Sequence, residues 1–465
     1  MKFVNRLSEL SDLKKALGTG RPALVRVYGR RRLGKTELLR KLCREQRGLY
    51  LLVDETDPPR QRESLSEQIA AGTKTIPIPL LTWDAFYEHL QKLDFDFIVL
   101  DEFQRMLQSD SQGVSRLQHH WDTAMRESGP SVILCGSSIG MMQSVTVKKS
   151  APLFGRLAAD MHLRPFTYAA TRLFYPDATE EERIIRFSVF GGTPYYHEFS
   201  VGRNLKDAVS KAFLSPTAPL VEEPQNLLRL ELKSPARYNS VLREIGKGTH
   251  DLRGLESKVG AKRGGLGPYI DILRNDLGLI RMEDPVCGVR KQARYIFDDP
   301  FFGFYYRFVF ENRPRLELDR SNAVWDDIER GLDEYVGREF ERVAQEALRW
   351  LNGTTWNGIS IDFDELGRWW NRQGEEIDIV AAGKREVIAG EVKWSANPMR
   401  PDVLNRLRIK ARMIERIGAR AVRFLLVSRG GFESDLMREA EAKGVITMDI
   451  SDLKAVFDGY GGRPR

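Results

Sequence analysis

The chain has 465 residues, 42% of them hydrophobic, with a formal net charge of +7. That length supports two to four packed domains, the mild basic excess permits nucleic-acid binding without establishing it, and no apolar run approaches the roughly 20 residues of a membrane-spanning helix. Cys43, Cys135 and Cys287 are far apart without C-x-x-C pairing, and six histidines lack metal-ligand spacing; a disulfide framework and a histidine metal centre are excluded, and a cytoplasmic protein with reduced thiols and no membrane partner is expected.

Residues 1 to about 165 alternate apolar strands with helices, the pattern of a parallel α/β sheet. Residues 23–28 predict a buried strand and residues 37–42 a helix. Between them runs Gly29-Arg30-Arg31-Arg32-Leu33-Gly34-Lys35-Thr36, which fits G-x-x-x-x-G-K-[ST]. Strand, loop and helix in this order are the context that a phosphate-binding loop requires. The glycines let the backbone wrap a phosphate, with successive N–H groups pointing inward at the helix N-terminus. Lys35 would reach the β- and γ-phosphates, and the Thr36 hydroxyl would ligate Mg²⁺. Residues 50–53 read as a second strand and residues 86–93 as a helix. An apolar strand over 97–100 then ends in Asp101 and Glu102. Asp101 would hold the Mg²⁺ shell and Glu102 would polarise the attacking water. The pair specifies ATP or GTP binding, and the glutamate favours hydrolysis over binding alone. Residues 131–135 predict a third strand, followed by Gly136-Ser137-Ser138. From there Ser137 would contact the γ-phosphate or the water; an ordinary Gly-Ser turn is the other reading.

Residues 165 to 225 predict helices around the turn Phe190-Gly191-Gly192-Thr193-Pro194-Tyr195-Tyr196. The opening Phe3-Val4-Asn5-Arg6-Leu7-Ser8-Glu9-Leu10, the Gly29–Thr36 loop, IVLDEF at 98–103, CGSSIGMM at 135–142, Pro152-Leu153-Phe154-Gly155-Arg156 and the 191–196 turn follow in series. Over essentially the whole chain the series closely resembles the archaeal-type AAA+ ATPases, also widespread in bacteria, that carry a C-terminal nuclease-like domain. With the residue patterns, this divides the chain into a P-loop AAA+ core at 1–165, a helical lid at 166–230, a winged helix at 231–312 and a nuclease-like domain at 325–465. The resemblance implies that Phe3, Asn5 and Arg6 lie near the adenine and that the Gly-Gly-x-Pro turn faces the nucleotide from the lid. It also implies that Arg156 stands where a trans-acting or sensing arginine sits. From the residues alone Arg156 is equally a basic residue in a loop.

Residues 235–310 read as a winged helix, with helices at 238–245, 250–259 and 266–276 and strands at 279–281 and 294–297 pairing as the wing. Lys262, Arg263, Arg274, Arg290, Lys291 and Arg294 bring positive charge. Such units place a helix in the major groove and a wing on phosphate, so DNA is the expected partner. A connector between domains is the alternative, because Asp271, Asp276, Glu283 and Asp284 dilute the charge. Residues 314–324 are polar and predict a linker.

Residues 376–380, a Gly383-Lys384 turn and residues 387–394 form a predicted hairpin. Residues two apart in a strand share a face, so Glu391 and Lys393 point together, with Asp378 on the neighbouring strand. Asp378 and Glu391 would bind Mg²⁺ or Mn²⁺ through oxygen, and Lys393 would position or activate the attacking water. The spacing matches the PD-(D/E)xK nuclease pattern. A helix before it, then a helix at 403–417 and a strand at 421–427 after it, give the order of a restriction-endonuclease-like α/β fold. Glu341 resembles the helix acid that completes such metal sites. A silent fold used only for binding is the alternative. Trp369 and Trp370 are read as structural. The expected function is an ATPase that couples ATP binding or hydrolysis to action on DNA or another nucleic acid, with a metal-dependent nuclease domain. A nucleotide-controlled switch binding DNA or protein is the second reading. A remodeller of protein complexes is the third, against which the nuclease constellation argues. Homo-oligomerisation is left open.

Overall fold

The computed structural model describes residues 4–146, 151–288, 292–415 and 417–459. They form two compact units, Met1–Pro165 with Asn275–Leu277, and Phe166–Arg274 with Gly278–Arg465. No helix among the described residues is long and apolar enough to cross a membrane.

The first unit is built on five parallel strands: β1 (Leu24–Tyr28), β2 (Gly48–Leu52), β3 (Phe97–Asp101), β4 (Ser131–Gly136) and β5 (Leu157–His162). Their order is β2-β3-β4-β1-β5. Every residue of β1, β3 and β4 is buried. A parallel sheet covered on both faces has continuously apolar strands, which is why these segments lack polar alternation. Val25 and Val27 pack with Leu13 of α1 (Leu7–Leu17) and Leu38, Leu39 and Leu42 of α2 (Lys35–Glu45). Leu24 points the other way, into a core with Trp83, Phe86, Leu90 and Leu117. The sheet order sets β4 between the strand that feeds the Gly29–Thr36 loop and the strand that ends at Asp101. The carboxyl ends of these three strands therefore share one edge, where open α/β sheets bind ligands.

The second unit begins helically, as expected, with Glu180–Phe190, Leu205–Phe213 and Glu223–Glu231 among its helices. The first of these ends at Gly191, whose φ is 66° and whose added Cβ would lie 1.6 Å from Asp299 Oδ1. Only glycine fits there. Asp299 is fully buried and accepts hydrogen bonds from Gly192 N (3.0 Å) and Thr193 Oγ1 (2.8 Å). The Gly-Gly-x-Pro turn is thus pinned by a carboxylate from beyond residue 290. His197 follows the turn, with Nε2 2.9 Å from the Gly191 carbonyl and Nδ1 2.7 Å from the Tyr175 hydroxyl. Burial pushes its imidazole down to about 4, and Arg186 adds to this, against the Gly191 carbonyl and Asp299. Folding therefore favours the neutral ring. Its stability contribution is complete above the unfolded value near 6.5 and is lost as pH falls from there to about 4, on the order of 3 kcal/mol in all. Urea midpoints measured across that window are expected to fall more steeply for the parent chain than for His197→Gln. Parallel curves would show that other groups carry the acid sensitivity.

Helices Ala236–Gly246, Leu252–Val259 and Gly267–Asp271 precede an antiparallel pair, β6 (Ile280–Glu283) and β7 (Arg294–Phe297). This is the order of elements read as a winged helix. Lys262, Arg263 and Arg274 are exposed, whereas Arg294 bonds Glu376 and lies 4.4 Å over the Trp370 ring. Arg290 and Lys291 lie outside the described residues. Residues 314–324 are not an irregular linker. Arg313–Glu317 is helical and the 31-residue helix Ser321–Leu351 starts within the segment. Leu316, Val324 and Trp325 are buried, and their packing overrides the polar composition.

After a short hairpin, β8 (Thr354–Trp356) and β9 (Ile359–Ile361), come β10 (Glu365–Trp370), β11 (Glu376–Ala382), β12 (Glu386–Lys393), β13 (Ala421–Ser428) and β14 (Ile446–Met448). They form one mixed sheet in chain order. The helix Ser321–Leu351 covers one face, with Phe340, Val343 and Ala347 against Ile379, Ile388 and Val392. The helix Pro401–Ala411 covers the other, with Leu404 and Leu407 against Val380, Val387 and Ala389. Trp369 and Trp370 are buried in this framework.

Candidate functional site

The Gly29–Thr36 loop leaves β1 with Gly29 at φ 149°. A Cβ there would stand 2.3 Å from the Leu163 carbonyl oxygen, so the close approach requires glycine. Gly34, left-handed at φ 86°, caps α2. Leu33 is buried in the core shared with α2 and anchors the loop. Arg30 is buried, while Arg31 and Arg32 are exposed. Lys35 Nζ donates to the carbonyls of Gly29 (2.6 Å) and Arg30 (2.9 Å), which holds the ammonium inside the loop. Burial lowers its pKa against the opposing charges of Glu102 and Asp101.

Thr36 Oγ1 donates to Asp101 Oδ2 at 2.9 Å, and the Tyr50 hydroxyl donates to the same oxygen. Burial works against the Asp101 charge, but hydrogen bonds from Cys135, Tyr50, Thr36 and the Glu102 amide hold the carboxyl below its ordinary value. Glu102 has φ 55°, a left-handed backbone unusual for a residue with a Cβ. Its Oε2 accepts from Gln104 Nε2 and from Ser137 Oγ (3.1 Å), and Gln104 Nε2 is also 3.0 Å from Ser137 Oγ. Ser137 at the end of β4 is thus brought to Glu102. Gln104 completes this triangle and was missed by sequence reasoning. Its signal was slight: a polar residue two places after the acidic pair, at the start of the helix Gln104–Ser109.

Phe3 lies outside the described residues. Asn5 and Arg6 are both left-handed, at φ 58° and 64°. Arg6 binds Glu9 (2.6 Å) and the carbonyls of Leu33 (3.2 Å) and Arg164 (2.6 Å). It clasps the loop's backbone, which a purely adenine-facing role does not require. Arg156 forks onto Asp122 at 2.8 and 2.6 Å and reaches the Phe154 carbonyl. Its guanidinium is brought to Asp122 and not to the Gly29–Thr36 loop.

In the C-terminal sheet Ile379 pairs with Gly390, so one step further along the ladder Asp378 stands opposite Glu391. Lys393 Nζ is 2.6 Å from Glu391 Oε1, and Lys410 Nζ is 3.8 Å from Oε2. Burial and the facing Glu391 charge push Asp378 up to about 6, against the Val392 N–H at 2.9 Å and the charges of Lys393 and Arg368. Glu341 is pushed up to about 8 by burial and by Asp378, although Arg368 is bonded to it. Among the described residues no three of His, Cys, Asp and Glu are grouped to hold one metal ion. The expected three-acid set of Glu341, Asp378 and Glu391 is therefore not assembled. Alternation along β12 sets Glu391 and Lys393 on the face of Val387 and Ala389, toward the helix Pro401–Ala411. Glu341 stands on the helix that covers the opposite face. The spacing in the chain carried no sign of this or of Arg368.

Residues 3–196 match a family described as an ATPase domain predominantly from Archaea. Residues 305–406 match a family of archaeal and bacterial proteins of unknown function. Over 398 residues the chain is 30% identical to an uncharacterized protein of Methanocaldococcus jannaschii, spanning 84% of this chain and 87% of that protein. A Walker-type ATPase of Pyrococcus abyssi shares the fold, with a TM-score of 0.52 and 20% identity over 66% of this chain and 96% of that one. The ORC2 protein of Aeropyrum pernix aligns at a TM-score of 0.43 and 14% identity over 68% of this chain and 97% of that one.

Proposed function

The chain belongs to the archaeal-type AAA+ ATPase family, and on that premise we propose that it is a cytoplasmic ATP-hydrolysing enzyme that acts on DNA or another nucleic acid and carries a metal-dependent nuclease centre. The Gly29–Thr36 loop supports the nucleotide half. Lys35 would exchange the loop carbonyls for the β- and γ-phosphates. Thr36 and Asp101 are the residues that would hold Mg²⁺, because their oxygens meet at the loop's end and Asp101 is kept ionised by its donors. The ion supplies charge neutralisation at the phosphates. Glu102, steadied by Gln104 and Ser137, would orient and polarise the attacking water.

The observation that carries the nuclease half is Asp378 facing Glu391 with Lys393 beside it. Two facing carboxylates are unfavourable unless a cation compensates them or one takes a proton. Lys393 neutralises part of that charge, and Asp378 with Glu391 fits a two-carboxylate site for Mg²⁺ or Mn²⁺. Lys393 would then hold or activate the water. Asp378→Ala is expected to remove metal-dependent cleavage of labelled DNA and RNA while ATP turnover persists. Cleavage at the parental rate by that variant removes the assignment.

Helices Leu252–Val259 and Gly267–Asp271 with the β6–β7 hairpin support contact with a duplex. Reversing the exposed Lys262 and Arg263 to Glu should weaken DNA binding on every sequence and flatten the salt dependence by a slope of roughly 2. Unchanged anisotropy titrations would make this unit a connector. One observation favours a second reading. Glu341 is paired with Arg368 and no three-acid group forms among the described residues, as in a nuclease fold retained for binding. On that reading the chain is a nucleotide-controlled switch, and ATP changes affinity for DNA or protein without cutting.

A further inference from the structure

A cavity of about 90 Å³ lies in the C-terminal unit, walled by the helix Ala236–Gly246, the β6–β7 hairpin and the helix Ser321–Leu351. Arg281, Arg307, Arg338, Arg342 and Arg368 line it, against Glu283 and Glu339. Arg342 is held by the carbonyls of Asp298 (2.6 Å) and Phe297 (2.8 Å), which fix its guanidinium, and pairs with Glu339 at 3.2 Å. Arg281 pairs with Glu283 at 2.6 Å and with Asp298 at 3.7 Å. Arg307 and Arg338 share one carboxylate, Glu334, at 2.8 and 3.1 Å. Arg368 pairs with Glu341. Arginine cannot shed its proton, so the lining itself presents five guanidiniums against two carboxylates, Glu283 and Glu339, while Asp298, Glu334 and Glu341 pair with the arginines without being among the lining residues. Burial and the neighbouring Arg342 work against the Arg281 charge, the strain that an anion relieves.

We propose that this cavity binds a phosphoryl group. Guanidinium forks match its oxygens bidentately. A water needs roughly 10–15 Å³ of such space, so the cavity takes one phosphoryl group with a few waters and leaves any base outside. One lining residue, Gln345, reaches the strand that carries Asp378: its Nε2 is 3.2 Å from the Asp378 backbone carbonyl. A nucleic-acid strand is one source of such a phosphate. That source rests on the nucleic-acid reading above; a small phosphorylated ligand is the other source of the same group.

The test uses the full chain carrying Lys35→Ala, so that the Gly29–Thr36 loop takes no phosphate, in EDTA. Inorganic phosphate and a mononucleotide are titrated by calorimetry, and a short single-stranded oligonucleotide by fluorescence anisotropy. Arg307→Gln with Arg338→Gln, two substitutions at half-exposed side chains, should weaken binding about tenfold or more. Arg281→Gln should do the same from deeper in the wall, and thermal melts confirm that each variant is folded. Tighter binding of the oligonucleotide with this loss assigns a strand as the source. Equal binding of phosphate and mononucleotide with the same loss assigns a small ligand. Affinities that both sets of substitutions leave unchanged, or no binding of any probe, overturn the proposal. EDTA removes the metal that cleavage needs, so failure here and failure of the nuclease reading are separate results.

Discussion

Lys35→Ala is expected to weaken ATP binding by roughly 10²–10⁴-fold, the loss of two charge-assisted contacts to phosphate. The side chain is buried, and its ammonium sits at the loop's centre on the carbonyls of Gly29 and Arg30. Arg31 and Arg32 point to solvent and do not reproduce that position. Burial disfavours the Lys35 charge, and a bound triphosphate would restore it, so the cation gains most when nucleotide arrives. Lys35→Met, which keeps much of the stem, separates loss of charge from loss of packing. Calorimetric affinity equal to the parent's would remove the phosphate-loop assignment.

Glu102→Gln is expected to keep ATP binding and to lower turnover by about 10²–10⁴-fold, the usual contribution of a positioned general base. An amide preserves the shape of the carboxylate but polarises water weakly. The left-handed backbone of Glu102 is a conformation that costs on the order of 1 kcal/mol or more for a residue with a Cβ. Such strain collects where geometry serves function. The amide can keep its carbonyl oxygen on the Gln104 and Ser137 donors that now bond Glu102 Oε2 and turn its NH₂ to the Oε1 side. Little change in stability should accompany the loss of turnover. Parental turnover would show that another group positions the water.

The nucleotide site was largely legible in the chain because its signals are local. A loop of eight residues, an acidic strand end and a polar strand end each announce themselves over a few positions. The parallel sheet was legible for a related reason: strands buried on both faces are unbroken apolar runs. What escaped comes from partners distant in sequence. Gln104 and Ser137 are 33 residues apart, Arg156 and Asp122 are 34 apart, and Arg368 and Glu341 are 27 apart. No pattern in the chain states which arginine will claim which acid. The segment 314–324 misled because polar composition favoured a linker, whereas burial of Leu316 and Val324 rewards a helix. The hairpin with Asp378, Glu391 and Lys393 was legible from two apolar runs that carry acids around the Gly383-Lys384 turn. The side of the sheet on which Glu341 would fall was not, because it depends on how a 31-residue helix docks.

The most direct measurement is cleavage of end-labelled single- and double-stranded DNA and RNA by the purified full chain, with Mg²⁺ or Mn²⁺, with and without ATP. Parent, Lys35→Ala and Asp378→Ala proteins are compared side by side. The expected result is a metal-dependent product from the parent whose yield responds to ATP. Lys35→Ala should lose the response to ATP, and Asp378→Ala should lose the product while still hydrolysing ATP. No product from the parent under any combination of metal and nucleotide would contradict a nuclease centre and leave an ATP-driven switch.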